Sequence, residues 1–404
     1  MNAQAAHALT PQAALSGTPE ASARGLKILI ALKTFDPGGA EKVALRLAAA
    51  LAAQGADVRL AVARDGGALK SELRALPYFA VAGQHQTKLP ELLLTRQLPA
   101  LVAKLQPDIV VCPGNAYSLV GSFLKLRLGR RCPPVVLKVS NDLVRSDLPL
   151  PVRLLYRLWL RIQAPFFDSV IAIAPPAAGE IGSVMRVAPE RVTVIHNPAL
   201  LDADRQRLAA LRDATGRDRP GRHWLSIGRL VRQKNFGLLI DSFADVAGPD
   251  DTLTILGEGP QRAALEALAR RRGVAAQVSL PGHTPDIAPH LAAADAFVLS
   301  SDYEGLAAVL IEALAAGVPV VATDCSVNMG WLLDGVGTLV PVGDRAALAG
   351  AMLSAAVTPL PADVEMLRQR AAAFTVDASA AQWLAHLAAL VGLAAEQLVR
   401  QAAA

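Results

Sequence analysis

A chain of 404 residues is long enough for two α/β domains, each burying its own core. Hydrophobic residues make up 52% and aromatic residues 4%, so Ala, Leu and Val must fill the cores; stacking platforms for nucleic acid are scarce, and no nucleic-acid partner is expected. A formal net charge of +5 suits a polyanionic ligand or an anionic membrane surface.

Residues 1–24 are rich in Ala, Gln, Ser, Thr and Pro and lack the apolar stretch of a signal peptide, which predicts a disordered extension. From residue 25 onward, short β-branched runs alternate with longer helical patterns, the signature of parallel sheets joined by crossover helices. Strands are predicted over 27–32, 57–62, 108–111, 135–139, 169–173 and 191–195, and then over 223–227, 252–256, 277–280, 296–299, 318–322 and 337–340. The polar segment from Asp202 to Gly221 separates the two sets and divides the chain into 25–201 and 202–374. In the last segment, 375–404, Trp383, Leu384, Leu387, Leu390 and Val391 recur at helical spacing. That is one buried stripe rather than a membrane span. Cys112, Cys132 and Cys325 have no metal-ligand spacing and read as buried thiols of a reducing cytoplasm.

Five segments carry polar chemistry, and each follows a predicted strand. Gly38-Gly39-Ala40-Glu41 opens a helix, and its adjacent glycines let backbone N–H groups approach a phosphate or sugar; the alternative is an ordinary strand-to-helix turn. Gly228-Arg229 with Gln233-Lys234-Asn235 offers a guanidinium fork and a point charge for a diphosphate, or forms a basic surface turn. Gly257-Glu258-Gly259 has Arg262 where a dinucleotide fingerprint wants glycine, and reads mainly as a tight turn. A lone His283 after Gly282 is more often structural than catalytic. Between Ser301 and Asp324, Glu304 in a Gly-containing turn and Glu312 inside a helix place two carboxylates in apolar surroundings. They contact the hydroxyls of a phosphorylated ligand at the helix mouth, or are a solvated turn residue and a salt-bridged edge residue.

A helix predicted over 151–167 carries Arg153, Arg157 and Arg161 at i, i+4 and i+8 beside Leu154, Leu155, Leu158, Trp159 and Ile162. With Lys125, Arg127, Arg130 and Arg131 upstream it either meets anionic lipid headgroups or packs on the first sheet with a solvated arginine stripe.

Taken together, in this order and spacing, the Gly38, Gly228–Asn235, Gly257–Gly259 and Glu304–Glu312 segments resemble the family 4 retaining glycosyltransferases of the GT-B fold. The resemblance implies two Rossmann-like domains facing a cleft, with the last helix packing back across them. It implies donor phosphates at Arg229 and Lys234, the β-phosphate at the N–H groups of Leu306, Ala307 and Ala308, the donor sugar at Glu304 and the ribose at Glu312. Gly38, Gly39, Gly228, Gly257, Gly259, Gly282 and His283 would border the donor. Where many members carry a histidine, this chain has Lys138-Val139-Ser140-Asn141-Asp142, so Asn141 or Asp142 takes the positioning role. The loop after Asp324 departs from the family pattern and has Trp331 where Glu is typical.

The implied activity is metal-independent, retaining transfer of a sugar from a nucleotide diphosphate donor, UDP in preference to GDP, to a glycan or lipid-linked acceptor of bacterial polysaccharide or glycoconjugate. No cofactor is expected, and the expected place is the cytoplasm, peripheral on the inner face of the cell membrane. Two alternatives remain: a nucleotide-sugar epimerase or hydrolase of the same fold, and a non-catalytic nucleotide-sugar-binding protein.

Overall fold

The computed structural model describes residues 25–36, 39–72, 76–81, 90–145, 148–216, 219–357 and 359–402; the expected extension over 1–24 and Gly38 lie outside these. The first half runs β1 (Lys27–Leu32), α1 (Gly39–Ala53), β2 (Asp57–Val62), β3 (Tyr78–Ala80), α2 (Pro90–Leu105), β4 (Ile109–Cys112), α3 (Ser118–Leu128), β5 (Val135–Val139), α4 (Leu150–Gln163), β6 (Ser169–Ala172), α5 (Pro175–Glu180) and β7 (Val192–Val194). The second runs α6 (Asp202–Ala214), β8 (His223–Ile227), α7 (Phe236–Val246), β9 (Thr252–Leu256), α8 (Arg262–Arg271), β10 (Val278–Gly282), α9 (Ala288–Ala293), β11 (Ala296–Leu299) and α10 (Ala308–Ala316). It continues through β12 (Val320–Thr323), α11 (Met329–Leu333), β13 (Gly337–Val340), α12 (Arg345–Ala355) and α13 (Pro361–Ala372) to the final α14 (Val376–Ala402).

The strands form a seven-stranded sheet, ordered β3-β2-β1-β4-β5-β6-β7, and a six-stranded sheet, ordered β10-β9-β8-β11-β12-β13, with parallel pairings throughout. Central strands such as β4 and β11 are buried at every residue, as a parallel sheet covered on both faces requires. Strand order reverses between β1 and β4 and again between β8 and β11. In doubly wound sheets such reversals open a crevice at the carboxyl ends of the strands, where ligands bind.

The polar segment expected to separate the halves contains α6, whose Arg212 is buried and donates to the carbonyl of Ala292 at 2.8 Å. That helix packs on α9 and α10 of the second half. Chain return is made by α14: Ala380, Trp383, Leu384 and Leu387 join the core formed by α1, β1 and β2.

One helix decides between the two orientations that the sequence left open. Leu150, Leu154, Leu155, Leu158 and Ile162 of α4 face outward, while Arg153 and Arg157 are half-buried with their Nε atoms enclosed and unpartnered. Arg161 turns its Nε to the carbonyl of Val184 at 3.2 Å. The leucines are therefore not the packed face, which Tyr156, Leu160 and Gln163 supply, and of the three arginines Arg161 is exposed.

Candidate functional site

A cavity of about 1160 Å³ lies where the two halves meet, lined by loops that follow β4, β5, β8 and β11 and by the N-terminal ends of α1 and α10. The loop after β8 carries Gly228 and Arg229 into the wall and turns at Arg232–Lys234. Asn235 ends the turn in left-handed geometry, φ 45°, which asparagine tolerates, and its side chain caps α7 by accepting from Leu238 N at 3.3 Å. This loop is zipped to the segment after β11. Asn235 Nδ2 donates to Asp302 at 2.7 Å, Gln233 Nε2 donates to the Tyr303 carbonyl at 2.8 Å, and Asp302 N donates to the Gln233 carbonyl at 2.8 Å.

The zipper places Lys234 Nζ 2.5 Å from Glu304 Oε1, which also accepts from Ser301 Oγ at 2.8 Å. Lys234 thus neutralises Glu304, whereas Arg229 is exposed in the cavity and makes no ion pair among the described residues. Beneath them Gly257 lies at φ +144°, and a Cβ there would sit 1.9 Å from the Gly228 carbonyl oxygen. Gly257, Gly259 and Gly282 brace the loop from behind, and with the exposed His283 they stay outside the cavity wall.

Leu306, Ala307 and Ala308 line the cavity at the N-terminus of α10, where no side chain caps the first N–H groups. Uncapped N–H groups and the positive end of the helix dipole make a receptor for an anion. About one turn along, Glu312 is half-buried off the cavity wall, facing Lys42 and Arg46 of α1; burial pushes its carboxyl up, against the pull of those two cations.

From the first half, Asn141 and Asp142 enter the same cavity. Asn141 forms an isolated antiparallel bridge with Gly305, and Asp142 accepts from Ser326 Oγ at 2.9 Å and Val327 N at 3.1 Å. The loop after Asp324 therefore touches the opposite domain through Ser326 and Val327, while Trp331 leaves the site to pack on His196 and Phe374. Burial pushes the Asp142 carboxyl up to about 6, partly offset by its bonds to Ser326 and Val327.

Several residues passed over in the sequence prove to shape this wall. Asn115 accepts from Ser140 N at 2.8 Å, and Glu180 accepts from Leu143 N at 3.0 Å and Val144 N at 2.7 Å; together they fix the 140–144 loop. Lys138 is 2% exposed on β5 and lines the cavity, and burial pushes its ammonium down to about 7. A lysine in the otherwise apolar strand Val-Val-Leu-Lys-Val was the signal available for it. For Asn115 the sequence carried no such signal, because the strand-order reversal beside which it sits is a property of the fold.

Comparison with known proteins agrees with this geometry. Residues 37–202 match the family model for Glycosyltransferase Family 4, and residues 209–371 match that for Glycosyl transferases group 1. A lipopolysaccharide core biosynthesis glycosyltransferase of Rhizobium meliloti is 39% identical over 129 residues, 32% of this chain and 37% of that relative's length. An uncharacterised glycosyltransferase of Haemophilus influenzae is 25% identical over 306 residues, 74% of this chain and 80% of the relative. The crystal structure of HepE from Anabaena in complex with UDP superposes with a TM-score of 0.65 at 21% identity, covering 93% of this chain and all of that one. Two doubly wound parallel sheets facing one cavity, matched by both domain models in chain order, place this chain in the group 1 glycosyltransferases of the GT-B fold.

Proposed function

We propose that this chain transfers a sugar from a nucleotide diphosphate donor, UDP in preference to GDP, to a saccharide or lipid-linked acceptor with retention of anomeric configuration. The observation that carries the reading is the convergence of Arg229, Lys234 and the uncapped N-terminus of α10 on one cavity that also holds Glu304. A departing diphosphate needs fixed positive charge and N–H donors aimed at its oxygens, and these groups supply both without calling on a metal.

In this reading the diphosphate lies at the α10 N-terminus, its oxygens taken by Arg229 and by Lys234, which exchanges Glu304 for phosphate. Glu304 then turns to the donor sugar. Glu312 serves the ribose, with Lys42 and Arg46 as its partners until a nucleotide enters. Asn141 and Asp142 position the acceptor from across the cavity, and the leaving diphosphate itself takes the acceptor proton on the same face. The complex of HepE with UDP supports the choice of nucleotide, and the lipopolysaccharide role named for the Rhizobium relative supports a bacterial surface glycan as product.

A thermal-shift screen of nucleotide diphosphates and their sugars tests the donor, because a ligand that binds only the folded state raises its melting temperature. UDP and one UDP-sugar should stabilise the chain more than their GDP counterparts. Proton NMR of the transfer product should then show the anomeric configuration of the donor. Release of free sugar at an acceptor-independent rate would instead favour a hydrolase.

A further inference from the structure

We propose that the outward face of α3 and α4 is a docking surface for an anionic lipid bilayer. The strongest observation is the orientation of α4: Leu150 is 62% exposed, Leu154 55%, Leu155 68%, Leu158 54% and Ile162 53%. A soluble helix turns such residues inward, so an apolar face left outward marks a surface meant for something else. α3 packs beside α4 and adds Leu119, Phe123 and Leu126, at i, i+4 and i+7, to the exposed apolar side chains.

Charge selects the occupant. From Ala116 to Pro134 there is no Asp or Glu but there are Lys125, Arg127, Arg130 and Arg131; from Leu148 to Phe167 there is again no acid, and there are Arg153, Arg157 and Arg161. A face edged by cations, of which Lys125 is answered by Asp168 at 2.6 Å, matches acyl chains in its middle and phosphate headgroups at its rim. Half-buried Arg153 and Arg157 lie behind the leucines, and Arg153 donates to the Leu148 carbonyl at 3.2 Å, at the N-terminal end of the face.

Position links this surface to the site. Val144 and Arg145 line the cavity, Val144 is 39% exposed, and α4 begins at Leu150, five residues after Arg145. A bilayer on α3 and α4 would therefore lie at the mouth of the cavity on its acceptor side. Resting on the transfer reading, the inference names the acceptor class: a saccharide whose lipid portion stays in the membrane.

The test is flotation of the full chain with vesicles of phosphatidylcholine alone and of phosphatidylcholine with 30 mol% phosphatidylglycerol, as about 0.1 and about 0.5 M salt bracket strong and weak screening. The expected result is at least about 10-fold more binding to the anionic vesicles at low salt, weakened at high salt, and lost in the double variant Leu155→Asp with Leu158→Asp. Both residues are exposed, so the variant should keep the melting temperature and the UDP affinity of the parent chain. UDP binding without vesicle binding would overturn the membrane docking and leave the nucleotide reading standing. Equal vesicle binding by parent and variant would also overturn it, as would a dimer in solution that the variant dissociates.

Discussion

Arg229 and Lys234 have the same formal charge and nearly the same place in sequence, yet the structure gives them different consequences on removal. Arg229 is exposed and makes no ion pair among the described residues, so Arg229→Ala should leave the melting temperature within about a degree or two of the parent, as ordinary surface changes do. Lys234→Ala strands Glu304, whose side chain is only 11% exposed, and losing one partner of a largely buried pair costs on the order of 1–3 kcal/mol. Differential scanning calorimetry of the two variants checks this; equal melting temperatures would contradict the pairing. Lys138 gives a second test at this scale. Its folded-state value, about 7, lies below the ordinary 10.5, so the unfolded chain takes up the proton first as pH falls. Stability should therefore decline as pH falls from about 10 to about 7 and level off below. Lys138→Met should remove that decline and be more stable than the parent at pH 7 by about 1–3 kcal/mol, measured by urea denaturation across this range. Arg229, Lys234 and Glu304 were legible in the sequence because their chemistry sits in local motifs. Asn115 and Glu180 were not, since each acts on backbone N–H groups 25 to 37 residues away.

Among the elements, the buried parallel strands were the most readable. Their apolar runs are set by burial, and β1, β2, β5, β8, β9 and β11 fall on the residues expected of them, as does the largely exposed edge strand β13. The other edges were less readable. β3 is only Tyr78–Ala80 at the margin of its sheet, too short to show periodicity, and β10 extends through Pro281 because an edge position spares proline the donor it lacks. α6 was hidden by its polar composition, since Arg212 and an Arg207–Asp286 pair at 2.6 Å tie it to the second domain. The contact between the 140–142 and 304–306 segments was invisible in sequence, and it carries a prediction. Gly305 is buried against the first domain, and a Cβ there would lie 2.0 Å from the Ser140 carbonyl oxygen, so backbone must move to admit it. Gly305→Ala should keep UDP binding, which the proposed reading assigns to the second domain, and lose turnover on the order of 10²-fold, as a displacement of about 1 Å at the reacting groups can do. Steady-state kinetics and UDP calorimetry on the same variant decide it, and unchanged turnover would mean the two domains do not need this contact.

For the whole molecule, alternating strands and helices announced two parallel-sheet domains; the Gly228–Lys234 and Glu304–Ala308 loops share one crevice as the motif order implied, whereas the Gly257–Gly259 and Gly282–His283 loops stay behind its wall. Sequence did not announce which way α4 faces, because a helix with leucines and arginines at helical spacing has two orientations and packing by Tyr156, Leu160 and Gln163 chooses between them. The molecule then has an apolar, cationic flank on the first domain, a cavity between domains, and a wall where Arg229, the α10 N-terminus and a Lys234 paired with Glu304 converge. The account stands or falls on that wall. Isothermal titration calorimetry of UDP against the parent chain and Arg229→Ala, both with a metal chelator present, tests it most directly. The account predicts saturable binding of UDP by the parent and an affinity at least about 10-fold weaker in Arg229→Ala, the loss expected for one charge-assisted contact. Absence of binding by the parent, or equal affinity in the two proteins, would contradict it.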